Sequence, residues 1–542
     1  MKALLRVAIP IIVFSLVNAC NLPVRTSGVP TSTTTITTPH LPAIVSISVC
    51  SPNGTGGLGS CPSGSFDTQQ IVLAPDNSGI SIDKYGNLGA TSDEHATIFP
   101  PGTLRNNPDY LFWVAAGTTA SNKAIGVVVL SGGSGPDKNG QWTFDFAKVD
   151  GYGSYLSGYG PIFLPPVGGR CPEVPDGNPA HQDQTFDLSY ASPGSVAIDP
   201  TGSPGDLVMI YEGGNACVGV TKAVNPSNNA YLSLGVATSM DYGHTWPTYR
   251  GTQKFDFVQL PLKNKSTGPG TGLGALGISV CVGNDCTITP PATYGRYAVL
   301  TPQTTLASVM EKGKELGTIL GYGEPSAFLD DIDGKQAPYL YVIHGYKPGE
   351  ADPSLSNNRD SDLTLARAHL NGGTTQLSFR KWNGKAFAAP GLGGVDRPIL
   401  PDGQYVNCVD QIQSRHQASI SYVDELHLYL LTFVCLSPTD PVSGSGAGKS
   451  KGAAWFYSTS ADLSDPGQWS TPQEIVGSWG EYDISGGCLD YKGWYPTLMS
   501  PGKKPGHLAT SGTIFYMWGC QGGGAPEGRQ YSSRVFTIST SP

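Results

Sequence analysis

Five short, strand-like segments are each preceded by a residue able to do chemistry: Glu94, Ser192, Glu324, His416 and Trp494. Two carboxylates, a hydroxyl, a histidine and an aromatic plane form a set suited to sugars. Cleaving a glycosidic bond takes one carboxyl that gives a proton and a second that serves as base or nucleophile, about 5–9.5 Å apart. Glu324 and Glu94, with its neighbour Asp93, are the candidate carboxylates. Burial raises a carboxyl pKa and lets the group hold a proton near neutrality. Trp494 and Tyr495 are candidates for stacking on the apolar face of a sugar ring. His416, Ser192 and Glu212 are candidate binding contacts, and Arg415 and Lys492 add positive charge beside them. No His/Cys cluster has the spacing of a metal site. Asp330-Asp331-Ile332-Asp333-Gly334 lacks the distal Glu of an EF-hand loop and reads as a hairpin turn. No cofactor is expected.

These residues meet only if the chain repeats. One pattern recurs five times: a short strand opening with small residues, a turn, then a strongly apolar strand often ending near Gly. Its copies begin at Glu94-His95-Ala96-Thr97, Ser192-Pro193-Gly194-Ser195, Glu324-Pro325-Ser326, His416-Gln417-Ala418-Ser419 and Trp494-Tyr495-Pro496-Thr497. The apolar partners are 110–117, 207–213, 339–345, 426–434 and 513–519. Third strands follow at 125–130, 232–239, 363–370, 454–460 and 534–538, and fourth strands at 142–149, 246–252, 377–382 and 469–476. Four antiparallel strands per unit predict an all-β, five-bladed β-propeller. Two stacked β-sandwiches are the rival architecture. The fifth copy reaches the C-terminus one strand short, so an N-terminal strand, with Gln70–Leu73 the candidate, is expected to close the ring.

Two segments carry family resemblances. Ser239-Met240-Asp241-Tyr242-Gly243-His244-Thr245-Trp246 matches the Asp-box pattern S-x-D-x-G-x-T-W, found in sialidases among others, which forms the turn between the third and fourth strands of a blade. A degenerate copy is Ser460-Ala461-Asp462 with Gly467 and Trp469. Gly323-Glu324-Pro325-Ser326-Ala327-Phe328, followed by Tyr339-Leu340-Tyr341, resembles the third blade of the arabinanase and β-xylosidase group of glycoside hydrolases. That resemblance implies Glu324 as general acid and Glu94 or Asp93 as general base. The group's acid-tuning Asp in the second blade is replaced here by Ser192. A sialidase reading draws on Tyr211-Glu212, but the Phe-Arg-Ile-Pro motif is missing, so it ranks below a neutral-glycan hydrolase.

The N-terminus reads as an export signal. Lys2 and Arg6 precede the apolar run Val7–Val17, which ends at Val17-Asn18-Ala19-Cys20. Residues 1–19 are expected to be a lipoprotein signal peptide, Cys20 the lipidated residue, 20–45 a Thr/Ser/Pro-rich tether and 46–542 the propeller domain. Of the 11 cysteines, ten remain beyond Cys20, an even number that suits disulfides in an exported protein. Sequence proximity suggests Cys50–Cys61, Cys171–Cys217, Cys281–Cys286, Cys408–Cys435 and Cys488–Cys520. A net charge of −9 with 14 % charged residues excludes a nucleic-acid binder. Gly444–Ser450 has Ser443 where a P-loop begins with Gly, and it opens no helix. The expectation is a monomeric bacterial lipoprotein of the cell envelope, touching the membrane through its lipid alone. Its propeller would cleave or bind a polysaccharide in an axial cleft. The alternatives are a non-catalytic glycan-binding or envelope-interaction lipoprotein and a sialidase-type exo-glycosidase.

Overall fold

A computed structural model describes residues 43–50, 95–104, 109–117, 125–131, 133–136, 142, 145–146, 173, 175–176, 190–200, 202–215, 231–243, 246, 256–259, 276–279, 297–301, 320–332, 338–347, 362–370, 377–394, 396–400, 415–436, 439–440, 449–450, 453–478, 489–521 and 530–541. Among them the chain is all-β, with one short 3-10 turn at Pro466–Gln468. Asp93, Glu94, Cys20, Gln70–Leu73 and every cysteine of the expected pairs except Cys50, Cys435 and Cys520 lie outside the described residues. Cys50 is disulfide-bonded.

Each sequence repeat folds as a set of antiparallel strands, and repeats two and three, expected as separate blades, are joined in one nine-stranded sheet by a parallel pairing of Leu320 and Gly321 with Tyr231 and Leu232. In the first, Thr97–Phe99, Leu111–Gly117, Ile125–Ser131 and Asp145–Phe146 pair in order. The fourth orders Arg415–Val423, Leu428–Leu436, Ala453–Ser460 and Gln473–Glu474. In the third, Leu320–Asp330, Tyr339–Lys347, Asp362–His369 and Arg380–Trp382 are joined by a further strand, Phe387–Pro390.

The second repeat departs from expectation. Its strands Tyr190–Ile198, Leu207–Asn215 and Tyr231–Ser239 pair as predicted, and the strand against the outer edge is Tyr297–Leu300. Of the fourth strand expected at 246–252, all but Trp246 lies outside the described residues. In the fifth repeat, Leu489–Met499, Ser511–Gln521 and Gln530–Thr540 are completed by Ile44–Val49. That strand takes the edge expected for Gln70–Leu73, and it starts two residues before the domain boundary expected at 46. Ile44–Val49 and Gln530–Thr540 thus share one sheet, and the latter strand gains a partner on its open side.

The second strand of each repeat is covered on both faces. Leu207 to Tyr211 are all at most 1 % exposed, which an alternating pattern would not allow. Neighbouring sheets supply the cover. Leu234 and Val236 pack with Leu340 and Val342. Phe328, Tyr341 and Ile343 pack with Ile420, Leu431 and Phe433. Leu430 and Trp455 pack with Ile514 and Tyr516. Phe112 lies 5.1 Å from Phe515 and Trp113 6.1 Å from Trp246, edge to face. Sheet-to-sheet contacts therefore link repeats two with three, three with four, four with five, five with one and one with two.

The Ser239 turn matches its sequence signature with one change of role. Ser239 Oγ accepts the Gly243 N–H at 2.8 Å and donates to Asp241 Oδ1 at 2.7 Å. Gly243 has φ +85°, and a Cβ there would run into the Trp113 ring. The hydroxyl, not only the carboxylate, organises the turn, and Trp246 packs on the neighbouring repeat.

Candidate functional site

The first strand of repeats two to five breaks register near its start. On Leu320–Asp330 the shift falls between Gly323 and Ser326, on Arg415–Val423 between His416 and Ser419, and on Leu489–Met499 between Trp494 and Thr497. In the second repeat it falls between Pro193 and Ser195. Each is a β-bulge, which re-aims side chains at one place on the strand. The first residue of the bulge is left-handed in three repeats: Glu324 at φ 58°, Gln417 at 60° and Tyr495 at 55°. Such a conformation costs a non-glycine residue on the order of 1–3 kcal/mol and persists only where the surroundings impose it.

A hydroxyl residue follows two positions later every time: Ser326, Ser419 and Thr497, with Ser195 and Thr97 in the other repeats. Counting back from it, the equivalent residues are His95, Pro193, Glu324, Gln417 and Tyr495. The sequence pattern sets Glu324 beside Glu94, Ser192, His416 and Trp494, one residue early in those four repeats. The strings His-Ala-Thr, Glu-Pro-Ser, Gln-Ala-Ser and Tyr-Pro-Thr carried the correct alignment. The bulge was not visible, because an extra residue leaves no mark in hydrophobic periodicity.

A line of contacts joins these residues across the repeats. The Glu324 N–H donates to Glu212 Oε2 at 2.8 Å. Gln417 Nε2 donates to Glu324 Oε1 at 3.4 Å, and Gln417 Oε1 accepts the Tyr495 N–H at 3.0 Å. The Tyr495 ring meets the His95 ring edge-on, centroids 5.3 Å apart. His95 Nδ1 lies 3.3 Å from Thr497 Oγ1, whose own proton points to the Tyr495 carbonyl at 3.4 Å. With Thr497 donating to the carbonyl, the tautomer that satisfies this contact carries its proton on Nδ1, and among the described residues the buried Nε2 has no hydrogen-bond partner. Burial lowers the His95 pKa from 6.5 to about 3, against the opposing pull of the Glu324 charge. His95 is a neutral ring at physiological pH.

Glu324 is half-buried, and Glu212 is 5 % exposed. Glu212 pairs across its sheet with Ser192, which is fully buried. Of the expected contacts, Glu212, Tyr495 and Glu324 come together, with Trp494 against Tyr495 at 6.3 Å. His416 and Arg415 pair through their backbones with Val434 and Cys435. Tyr211 and Glu212 are successive residues of one strand and point to opposite faces. Tyr211 is in the core, so the two do not form the pair a sialidase needs.

Beyond the bulges, Thr97, Ser195, Ser326, Ser419 and Thr497 line a cavity of about 290 Å³ that also touches Asp331, Lys504 and His507 at its other end. There the predicted turn at Asp330 is occupied by protein contacts: Asp330 accepts from the Tyr429 hydroxyl at 2.9 Å, and Asp331 pairs with Lys504 at 2.6 Å. Among the described residues no group of His, Cys, Asp and Glu is arranged to hold a metal ion.

No family model matches the chain, and no curated protein matches it. Solved structures resemble it weakly. The catalytic domain of a Coprinopsis cinerea GH62 α-L-arabinofuranosidase aligns over 87 % of this chain and 96 % of its own, at 9 % identity and TM-score 0.36. A B. subtilis levansucrase variant covers 88 % and 92 %, at 11 % identity and TM-score 0.41. A GH130 structure, from a family described as mannoside phosphorylases containing glycoside hydrolases that target β-1,2 mannosidic linkages in Candida mannan, covers 88 % and 92 %, at 10 % identity and TM-score 0.37. Likeness of this degree assigns neither a fold nor an activity.

Proposed function

We propose that the chain is an exported, envelope-anchored glycan-acting protein whose site lies where the bulged first strands of a five-bladed propeller converge. The observation that carries this reading is Glu324: a half-buried carboxylate on a left-handed backbone, reached by the side-chain amide of Gln417, which in turn accepts the Tyr495 N–H. Strain of that kind concentrates at functional positions. Support for the ring comes from the chain of sheet contacts that returns from the fifth repeat to the first and from the Ile44–Val49 strand beside the C-terminal one. The cavity shared by all five repeats lies where a propeller has its axis.

In this reading Glu324 is the acid–base carboxylate and half-buried Trp494 offers the aromatic surface, while Tyr495, expected to stack on the sugar, is 2 % exposed and backs it instead. Glu94 or Asp93, just before His95, supplies the second carboxylate. Glu212 serves a backbone amide and is a positioning residue. Cys20 carries the lipid, the protein is a monomer, and the ligand is a neutral glycan.

A second reading, glycan binding without cleavage, is favoured by the positions equivalent to Glu324. They hold His95, Pro193, Gln417 and Tyr495, none of them a carboxylate. The two readings separate on a panel of plant, microbial and host polysaccharides, scored for reducing-end release and for binding. Hydrolysis by the wild type and loss of more than about a hundredfold in Glu324→Gln support the enzyme. Binding without release by both proteins supports the second reading. Neither release nor binding across the panel overturns both.

A further inference from the structure

We propose that Gln417 is the positioning residue of this centre, fixing the Glu324 carboxylate relative to Tyr495. The inference rests on the reading of Glu324 as the working carboxylate. An amide side chain has two chemically distinct ends, and the neighbours decide which way it faces. The Tyr495 N–H can only donate, so the end 3.0 Å from it must be the oxygen. The nitrogen then faces Glu324 Oε1 at 3.4 Å, where a carboxylate accepts. Both ends are therefore specified by groups whose roles cannot be exchanged.

The backbone adds a second constraint. Gln417 is itself left-handed, at φ 60°, and 2 % exposed. Its successor by two, Ser419, donates to the Pro496 carbonyl at 2.8 Å, so the fourth repeat grips the fifth on both sides of the Tyr495 bulge. A side chain placed there for packing alone would need neither the strain nor the amide. Gln417 spans three repeats: it sits on the fourth, reaches the acid on the third and the aromatic on the fifth.

The test uses the ligand-free mature chain, so its outcome is independent of whether sugar is cleaved. Gln417→Glu keeps an oxygen for the Tyr495 N–H and sets a carboxylate against Glu324. Two facing carboxylates cannot both ionise without repulsion. Thermal unfolding of wild type, Q417E, E324Q and the double variant E324Q/Q417E is measured at pH 4 and pH 7.5. The expected result is a Tm deficit of about 2–4 °C for Q417E that is present at pH 7.5, shrinks at pH 4 and vanishes in the double variant. Burial of the new carboxylate makes some pH dependence inevitable, so the deciding result is the coupling: a Q417E deficit left unchanged by E324Q overturns the proposal. If Q417E does not fold at pH 7.5, recovery of a wild-type-like transition in the double variant supports it, and continued failure overturns it.

Discussion

The backbone N–H of Glu324 is held by the carboxylate of Glu212, 2.8 Å away and 112 residues earlier in the chain. The link explains how a left-handed glutamate is maintained. It also explains the residue before it, since a Cβ on Gly323 would lie 2.7 Å from Glu212 Oε2. Glu212→Ala leaves the amide and the strained turn without this acceptor. An expected loss of about 1–3 kcal/mol in urea unfolding should accompany weaker glycan binding. Gly323→Ala should cost a similar amount by pushing the carboxylate aside.

Acid should destabilise the protein through its buried histidines. The pKa of His95 falls from 6.5 to about 3 because burial disfavours the cation, and that of His344 falls to about 4 for the same reason. Below pH 6.5 the unfolded chain takes up protons that the folded state refuses. The stabilisation is therefore complete above pH 6.5 and is lost as pH falls toward the folded values. Replacing His95 by Gln should remove up to about 3 kcal/mol of the loss between roughly pH 6.5 and 4.5. Urea midpoints measured across that range check it. An unchanged slope contradicts the assignment.

Alkaline pH should act the other way through Lys381. This lysine is fully buried, donates to the Tyr322 hydroxyl at 2.6 Å and the Thr301 carbonyl at 3.0 Å, and has its pKa lowered by burial to about 8, against the pull of Asp396. Between pH 8 and 10.5 the unfolded chain binds the proton and the folded chain releases it, so this group's contribution to stability rises with pH. Lys381→Met should abolish that rise in the same unfolding experiment. A parallel pH slope in the variant counts against it.

The turn at Gly243 offers a test of sheet packing remote from the site. Gly243→Ala forces a Cβ onto a positive φ and into the Trp113 ring of the neighbouring repeat. A cost of about 2–4 kcal/mol follows from strain plus overpacking. Gly102→Ala, also at positive φ but with open space around it, should cost only the backbone part.

The sequence displayed the repeats because each second strand is apolar on both faces, as Leu207 to Tyr211 show, and such runs stand out. It displayed Glu324 because that residue opens a first strand. It hid the rest for two physical reasons. A bulge adds a residue without changing hydrophobicity, so His95 and Gln417 are passed over for Glu94 and His416. Strand pairing also ignores chain distance. Tyr297–Leu300 joins the second repeat long after the Ser239 turn, and Ile44–Val49 reaches the last strand from the opposite end of the chain. The Ser/Thr two residues after each bulge was the one legible marker of true equivalence.

The central claim is that side chains from several repeats form one glycan site. Hydrogen–deuterium exchange with an oligosaccharide from a polysaccharide that the panel scores as bound tests it directly. The account predicts added protection together in 320–332, 415–423 and 489–500, with none in the Lys503–Asp424 end of the molecule. Protection confined to any other surface, with those three segments unaffected, would contradict it.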